Sequence, residues 1–232
     1  MAWHAKPSGS YSLSSDEGKD NCNAFYEQIL LLQIGANRNA IIGALCNVFG
    51  ESGLNPWRWQ GDHIASDYSN GYGLFQYTPA SSYINLQNKL GHSPNMSTTQ
   101  VSGGTTWDAM CQINVFYNND LGKWHNSLSD WPSYWSLSDY QYEYDHMGEI
   151  IATYGTNGTL SIEQFFNISN TDDSTLAWFV CFERASDLSG WRNRAAYASA
   201  IDDILIGGGV VNPLDVLIAL LGKGGRNWRN KL

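Results

Sequence analysis

Asn39-Ala-Ile-Ile-Gly-Ala-Leu-Cys-Asn-Val-Phe-Gly-Glu51-Ser-Gly-Leu-Asn-Pro56 is the stretch on which the fold turns. Ile41, Ile42, Leu45, Val48 and Phe49 recur at the spacing of a buried helix face, and Asn37 stands where an N-cap belongs. The pattern predicts a helix from about Asn37 to Gly50, closed by Glu51. A carboxyl at that place has two reasons to keep its proton. The apolar run before it disfavours ionisation through desolvation, and the C-terminal end of a helix dipole disfavours negative charge. Gly71-Tyr-Gly-Leu-Phe-Gln-Tyr77 follows it in the chain. With Asn55-Pro56 and Ser69-Asn70-Gly71, this stretch gives Trp57 to Thr78 the turn chemistry of a β-hairpin region.

On either side of this centre the patterning is helical. A first helix is expected from Asp20 to Ile34, and another from Pro79, a first-turn proline, to Leu90. Further helices are expected near Thr106–Leu121, Tyr140–Thr153, Ser174–Arg184 and Arg192–Ile206, with loops over Gly91–Thr105 and Trp124–Trp135. Three parts are expected: a Ser- and Gly-rich extended arm over residues 1–18, a body over 19–206, and a tail over 207–232. In the tail, a Gly207-Gly-Gly hinge leads to a short apolar helix, Pro213 to Leu221, and a basic end. Nine residues of helix span about 14 Å, roughly half a bilayer. Docking on another chain is the expectation for this tail, and membrane-surface contact is the alternative.

Composition narrows the function. The chain has 232 residues, enough for a sizeable core, and no apolar run long enough for a membrane span. A net charge of −9 argues against nucleic acid as the main partner. That charge divides into +3 after Gly207 and −12 before it. Charged residues are only 15% of the chain and aromatic residues 13%, which suits a protein that stacks sugars or packs against partners. Cys22, Cys46, Cys111 and Cys181 form no CxxC pair and read as buried free thiols of a reducing compartment, although spacing does not decide against a disulfide. The five histidines make no ligand-spaced pair with a cysteine, so no metal site and no cofactor are expected. Cys46 lies on the buried stripe of its helix with no partner suggested, which disfavours a cysteine peptidase. The start, Met1-Ala-Trp-His-Ala-Lys, lacks the apolar core of a secretory signal, so delivery to a target outside the cell would need another route.

Two motifs carry a family resemblance. Glu51-Ser52-Gly53-Leu54 and Gly73-Leu74-Phe75-Gln76 resemble the paired signature of goose-type lysozymes and lytic transglycosylases. The whole order is similar to the phage tail lysozyme family. It comprises Glu-Ser-Gly-Leu-Asn-Pro, Gly-Tyr-Gly-Leu-Phe-Gln-Tyr-Thr-Pro-Ala-Ser, and the late Trp178-Phe-Val-Cys-Phe-Glu183-Arg184 followed by Arg194-Ala-Ala. The resemblance runs over about residues 20 to 206. It implies a mainly α (α+β) lysozyme-like fold, with a helical lobe and a small antiparallel β-hairpin element beside a cleft.

The implied activity is cleavage of peptidoglycan glycan strands from a phage tail, opening the host wall during DNA injection. Glu51 would be the acid. Gln76 and Tyr77 would orient substrate groups, Trp57, Trp59 and Tyr72 would offer ring faces, and Ser52 and Gly73 would complete the binding set. Phe75 reads as core. Asp67 and Asp62 fall where a second carboxylate would come from, although each is better explained as a loop or turn residue. Related enzymes dispense with that carboxylate, so hydrolysis and transglycosylation both stay open, with an endo-acting muramidase as the expectation. A catalytically idle tail or wall-binding module is the other alternative. Glu183, beside Arg184, Arg192 and Arg194, reads as a tie between helices.

Overall fold

A computed structural model describes residues 2–7, 9–62 and 67–207. Nine α-helices make up the described frame: α1 Asp16–Leu32, α2 Arg38–Ser52, α3 Ala80–Lys89, α4 Thr105–Tyr117, α5 Leu137–Tyr154, α6 Ile162–Phe165, α7 Thr171–Trp178, α8 Gly190–Ala195 and α9 Ala198–Gly207. Helix α7 runs on as a π-helical turn, Phe179–Glu183. The expected 207–232 tail, including its short apolar helix, lies outside the described residues except for Gly207, which ends α9.

Helix α2 is the axis of the molecule. Every residue from Ala40 to Val48 is buried, as a helix surrounded by protein requires. The Asn37 side chain accepts from the Asn39 N–H at its start, and Gly53, left-handed at φ 57°, ends it by donating to the Phe49 carbonyl. Its closest neighbour is α7. Position 43 must be glycine there, because a Cβ would overlap the Ser174 side chain and stand 2.8 Å from the Thr175 nitrogen. Asn47 seals the crossing by donating to the carbonyls of Gly43 and Thr175.

Helix α1 starts earlier than the pattern indicated. Ser15 caps it by accepting from the Gly18 N–H, and Asp16 and Glu17 sit in the first turn, where the helix dipole favours acids. The residues before it are held along the body. Trp3 is buried, Asn21 bonds both the N–H and the carbonyl of His4, and Asn55 donates to the carbonyls of Lys6 and Gly9. The last expected helix is two, α8 and α9, broken near Tyr197, whose ring meets the edge of Phe49 at 4.6 Å.

The β-hairpin expectation is corrected. Among the described residues no strand forms, and the Gly-rich segment makes only single bridges, Trp59 to Tyr72 and Tyr72 to Tyr77. The chain there turns too often to stay extended, with Gly73 at φ 79° and Gln76 at φ 44°. Its bonding groups also go elsewhere. Tyr72 donates to Asp108 and Tyr77 to the Gln112 carbonyl, while Leu74 N–H is taken by the Gln112 side chain, so α4 holds the segment in place of a partner strand.

Candidate active site

The last turn of α2, the Gly-rich segment and the π-helical turn enclose a cleft of about 510 Å³. Its lining includes Glu51, Arg58, Phe75, Gln76, Tyr77, Lys123, His125, Phe182, Glu183 and Arg184. Below lies an aromatic layer: Phe75 stacks on Phe116 at 5.0 Å, Phe116 on Trp178 at 4.4 Å, and Phe182 stands edge-on to Phe116 at 5.1 Å. The floor is therefore apolar, and the charged groups stand on it.

Two acids and one cation form that chemistry. Arg194 Nη2 donates to Glu51 Oε1 at 2.6 Å and to Glu183 Oε1 at 2.7 Å. The Glu51 side chain is 24% exposed and that of Glu183 only 7%. The π-helical turn aims Glu183 into the cleft. Arg184 then closes the turn by donating to the Phe179 carbonyl at 2.9 Å, with a left-handed φ of 50°. Burial, then the neighbouring Glu51 charge and a hydrogen bond to Glu51, push the Glu183 carboxyl up to about 8, against the pull of Arg194. Desolvation was expected at Glu51; in the folded protein it raises a second carboxyl, Glu183, which stands beside it. Across the cleft, His125 is lowered by desolvation and by Arg184 and Lys123, partly offset by Asp130.

The other expected site residues fall into groups. Gln76 lines the cleft, its amide donating to the Arg58 and Gly73 carbonyls. Tyr77 borders the cleft with its ring, while its hydroxyl is used inside the core. Tyr72, Trp59 and Ser52 are fully packed: Tyr72 donates to Asp108, Trp59 stacks on Tyr68 and lies tilted against Tyr72, and Ser52 donates to the Val48 carbonyl. None of these three lines the cleft, and neither does Trp57. Gly73 serves the turn, since a Cβ there would overlap Gln112. Asp67 is exposed and caps its own turn, accepting from the Ser69 N–H and hydroxyl. Asp62 ends the short helical turn Gln60–Asp62, whose Gln60 and Gly61 line the cleft; its side chain lies outside the described residues.

Sequence reasoning missed the placement of two acids. Glu183 does tie α8 to the π-helical turn through Arg194, yet it also stands in the cleft beside Glu51. The quoted motif Phe-Glu183-Arg184 was the available signal, but only folding brings it to α2. Asp108 is the second. Buried in α4, it accepts from Tyr72, Tyr83, the Val101 N–H and Gln112, and burial raises it despite those donors. Gln112 also donates to the Pro56 carbonyl, so one polar knot fixes both the exit from α2 and the Gly-rich turn. No group of acids, histidines and cysteines among the described residues is arranged to hold a metal ion.

A helical frame with a glutamate at a helix end, facing a Gly-Leu-Phe-Gln turn across a cleft, is that of a lysozyme-like protein. The chain belongs to the phage tail lysozyme family, whose description matches residues 23–205. It is also similar to morphogenesis protein 1 of Bacillus phage B103, at 42% identity over 69 residues. That match covers 30% of this chain and 19% of the relative's own length.

Proposed function

We propose that the protein is an endo-acting muramidase that cuts the β-1,4 bond between N-acetylmuramic acid and N-acetylglucosamine. Its place would be a phage tail, where local wall opening precedes DNA injection. The observation that carries this reading is Glu51, set at the end of the central helix and lining a cleft bordered by Phe75, Gln76 and Tyr77. In the step proposed, Glu51 gives a proton to the glycosidic oxygen as the bond from the anomeric carbon breaks toward that oxygen. Water then adds to the anomeric carbon, and its proton returns to the carboxylate. The Gln76 amide and the Tyr77 ring hold the sugar, and the aromatic floor excludes water from its lower face.

The test is product analysis on purified peptidoglycan, with Glu51→Gln beside the wild type. Reducing N-acetylmuramic acid ends are expected from the wild type. For Glu51→Gln, the rate should fall by about 10²-fold or more, as for loss of a general acid, while pull-down on intact walls is kept. Products ending in 1,6-anhydro sugars would reassign the reaction to a lytic transglycosylase. Clearing by neither protein, with both folded, would leave the wall-binding alternative.

A further inference from the structure

We propose that Glu183 is a positioning residue which, bridged to Glu51 by Arg194, holds the proton that Glu51 delivers to the leaving sugar oxygen. This rests on the cleavage proposed above and assigns a second carboxyl to it.

Three geometric facts support the assignment. Arg194 reaches both acids through one nitrogen, at 2.6 and 2.7 Å, so its charge faces a carboxylate on either side almost equally. Glu183 Oε2 is buried and no donor points at it. A bare anionic oxygen buried in that position is costly, whereas the neutral carboxyl buries no charge. The third is position 50, where a Cβ would overlap the Arg194 guanidinium; the glycine before Glu51 leaves the bridge its space.

The transfer balances. The O–H bond of Glu183 breaks as one forms on Glu51, and the negative charge passes to Glu183 while remaining beside Arg194. Glu51 then protonates the leaving oxygen, and the attacking water returns one proton to the pair. Like charges so close disfavour two carboxylates together, which is the reason such a pair keeps one proton.

The groups facing the pair are Arg194 and Tyr197 from the α8 side, Arg184 next in the chain, and Arg58, Lys123 and His125 along the cleft walls. Among the acids, Glu183 is raised to about 8, so its proton persists through neutral pH and is lost as pH rises past that value. The wild-type rate on peptidoglycan is therefore expected to hold to about pH 8 and to fall above it.

The experiment records initial rates from pH 5 to 9.5 for wild type and Glu183→Gln, with thermal melts of both. It also follows the pH titration of ¹³C-carboxyl-labelled wild-type protein without substrate. At pH 7.5 Glu183→Gln is expected to lose about 10-fold or more, and at pH 5, where solvent supplies the proton, about 3-fold or less. Its alkaline limb should move to lower pH by about one unit or more, and one glutamate carboxyl of the wild type should titrate near pH 8. An unchanged alkaline limb in a folded Glu183→Gln overturns the proposal. So does a wild-type spectrum in which every carboxyl titrates in the ordinary acid range, and that arm decides if the variant does not fold. A wild type that cleaves nothing at any pH removes the muramidase reading itself. In that case the titration still reports separately whether the pair holds its proton.

Discussion

Arg194 crosses the last turn of α2 where its backbone is bare, and the geometry of both acids depends on that crossing. Gly50→Ala places a methyl group against the guanidinium, and the mobile end of the arginine has to leave. Alanine improves helix propensity by about 1 kcal/mol over glycine, so the melting temperature should change little. Activity on peptidoglycan, by contrast, should fall by about 10-fold or more as the acids lose their shared cation. A Gly50→Ala protein as active as the wild type would show that the bridge is unnecessary. The place of Glu51 at the end of a buried helix was legible from its sequence context, because a helix end and an apolar run are local facts. Glu183 was not legible as its partner: it lies 132 positions away in the numbering, and its sequence neighbours Arg184, Arg192 and Arg194 explain it equally well as a surface tie.

Helices α2 and α7 meet at the scale of the element, and the π-helical turn that carries Glu183 continues from α7. Gly43→Ala should force the two apart, since the Ser174 side chain and the Thr175 backbone occupy the space a Cβ needs. Overpacking of this kind costs about 1–3 kcal/mol, measurable as a melting temperature lower by several degrees. No loss of stability would mean that the crossing has slack. Helix positions were readable from apolar spacing and caps to within a few residues for α2, α3 and α5. The hairpin was not, and the reason is specific. Turn chemistry and alternating aromatics look the same whether the bonding partner is a strand or a helix, and here Asp108 and Gln112 of α4 take the groups a ladder would have used. The π-helical turn Phe179–Glu183 has no signature in the apolar spacing of its sequence.

At the scale of the whole molecule, Cys22, Cys46 and Cys181 belong to one continuous core, and Cys111 is buried apart from it. Cys22, Cys46, Cys111 and Cys181 are all free and buried. Burial pushes Cys22 and Cys46 up to about 12 and Cys111 up to about 11, and raises Cys181 as well. A thiol in that state is a poor nucleophile at neutral pH. A disulfide-exchange reagent should therefore find no rapidly reacting thiol in the native protein at pH 8 and four on denaturation. A fast-reacting thiol in the native state would show the core open near it.

The sequence by itself determined a mainly helical body, its buried central helix, the glutamate at that helix's end and the family to which the chain belongs. These follow from periodicity, caps and motifs, whose physics acts over a few neighbouring residues. Only the tertiary structure decided that the Gly-rich segment hangs on α4 rather than on a strand, and that a second acid stands beside the first. It also decided that burial raises Glu183, beside Glu51. Desolvation and charge pairing depend on what surrounds a group in space, and those surroundings come from residues far apart along the chain.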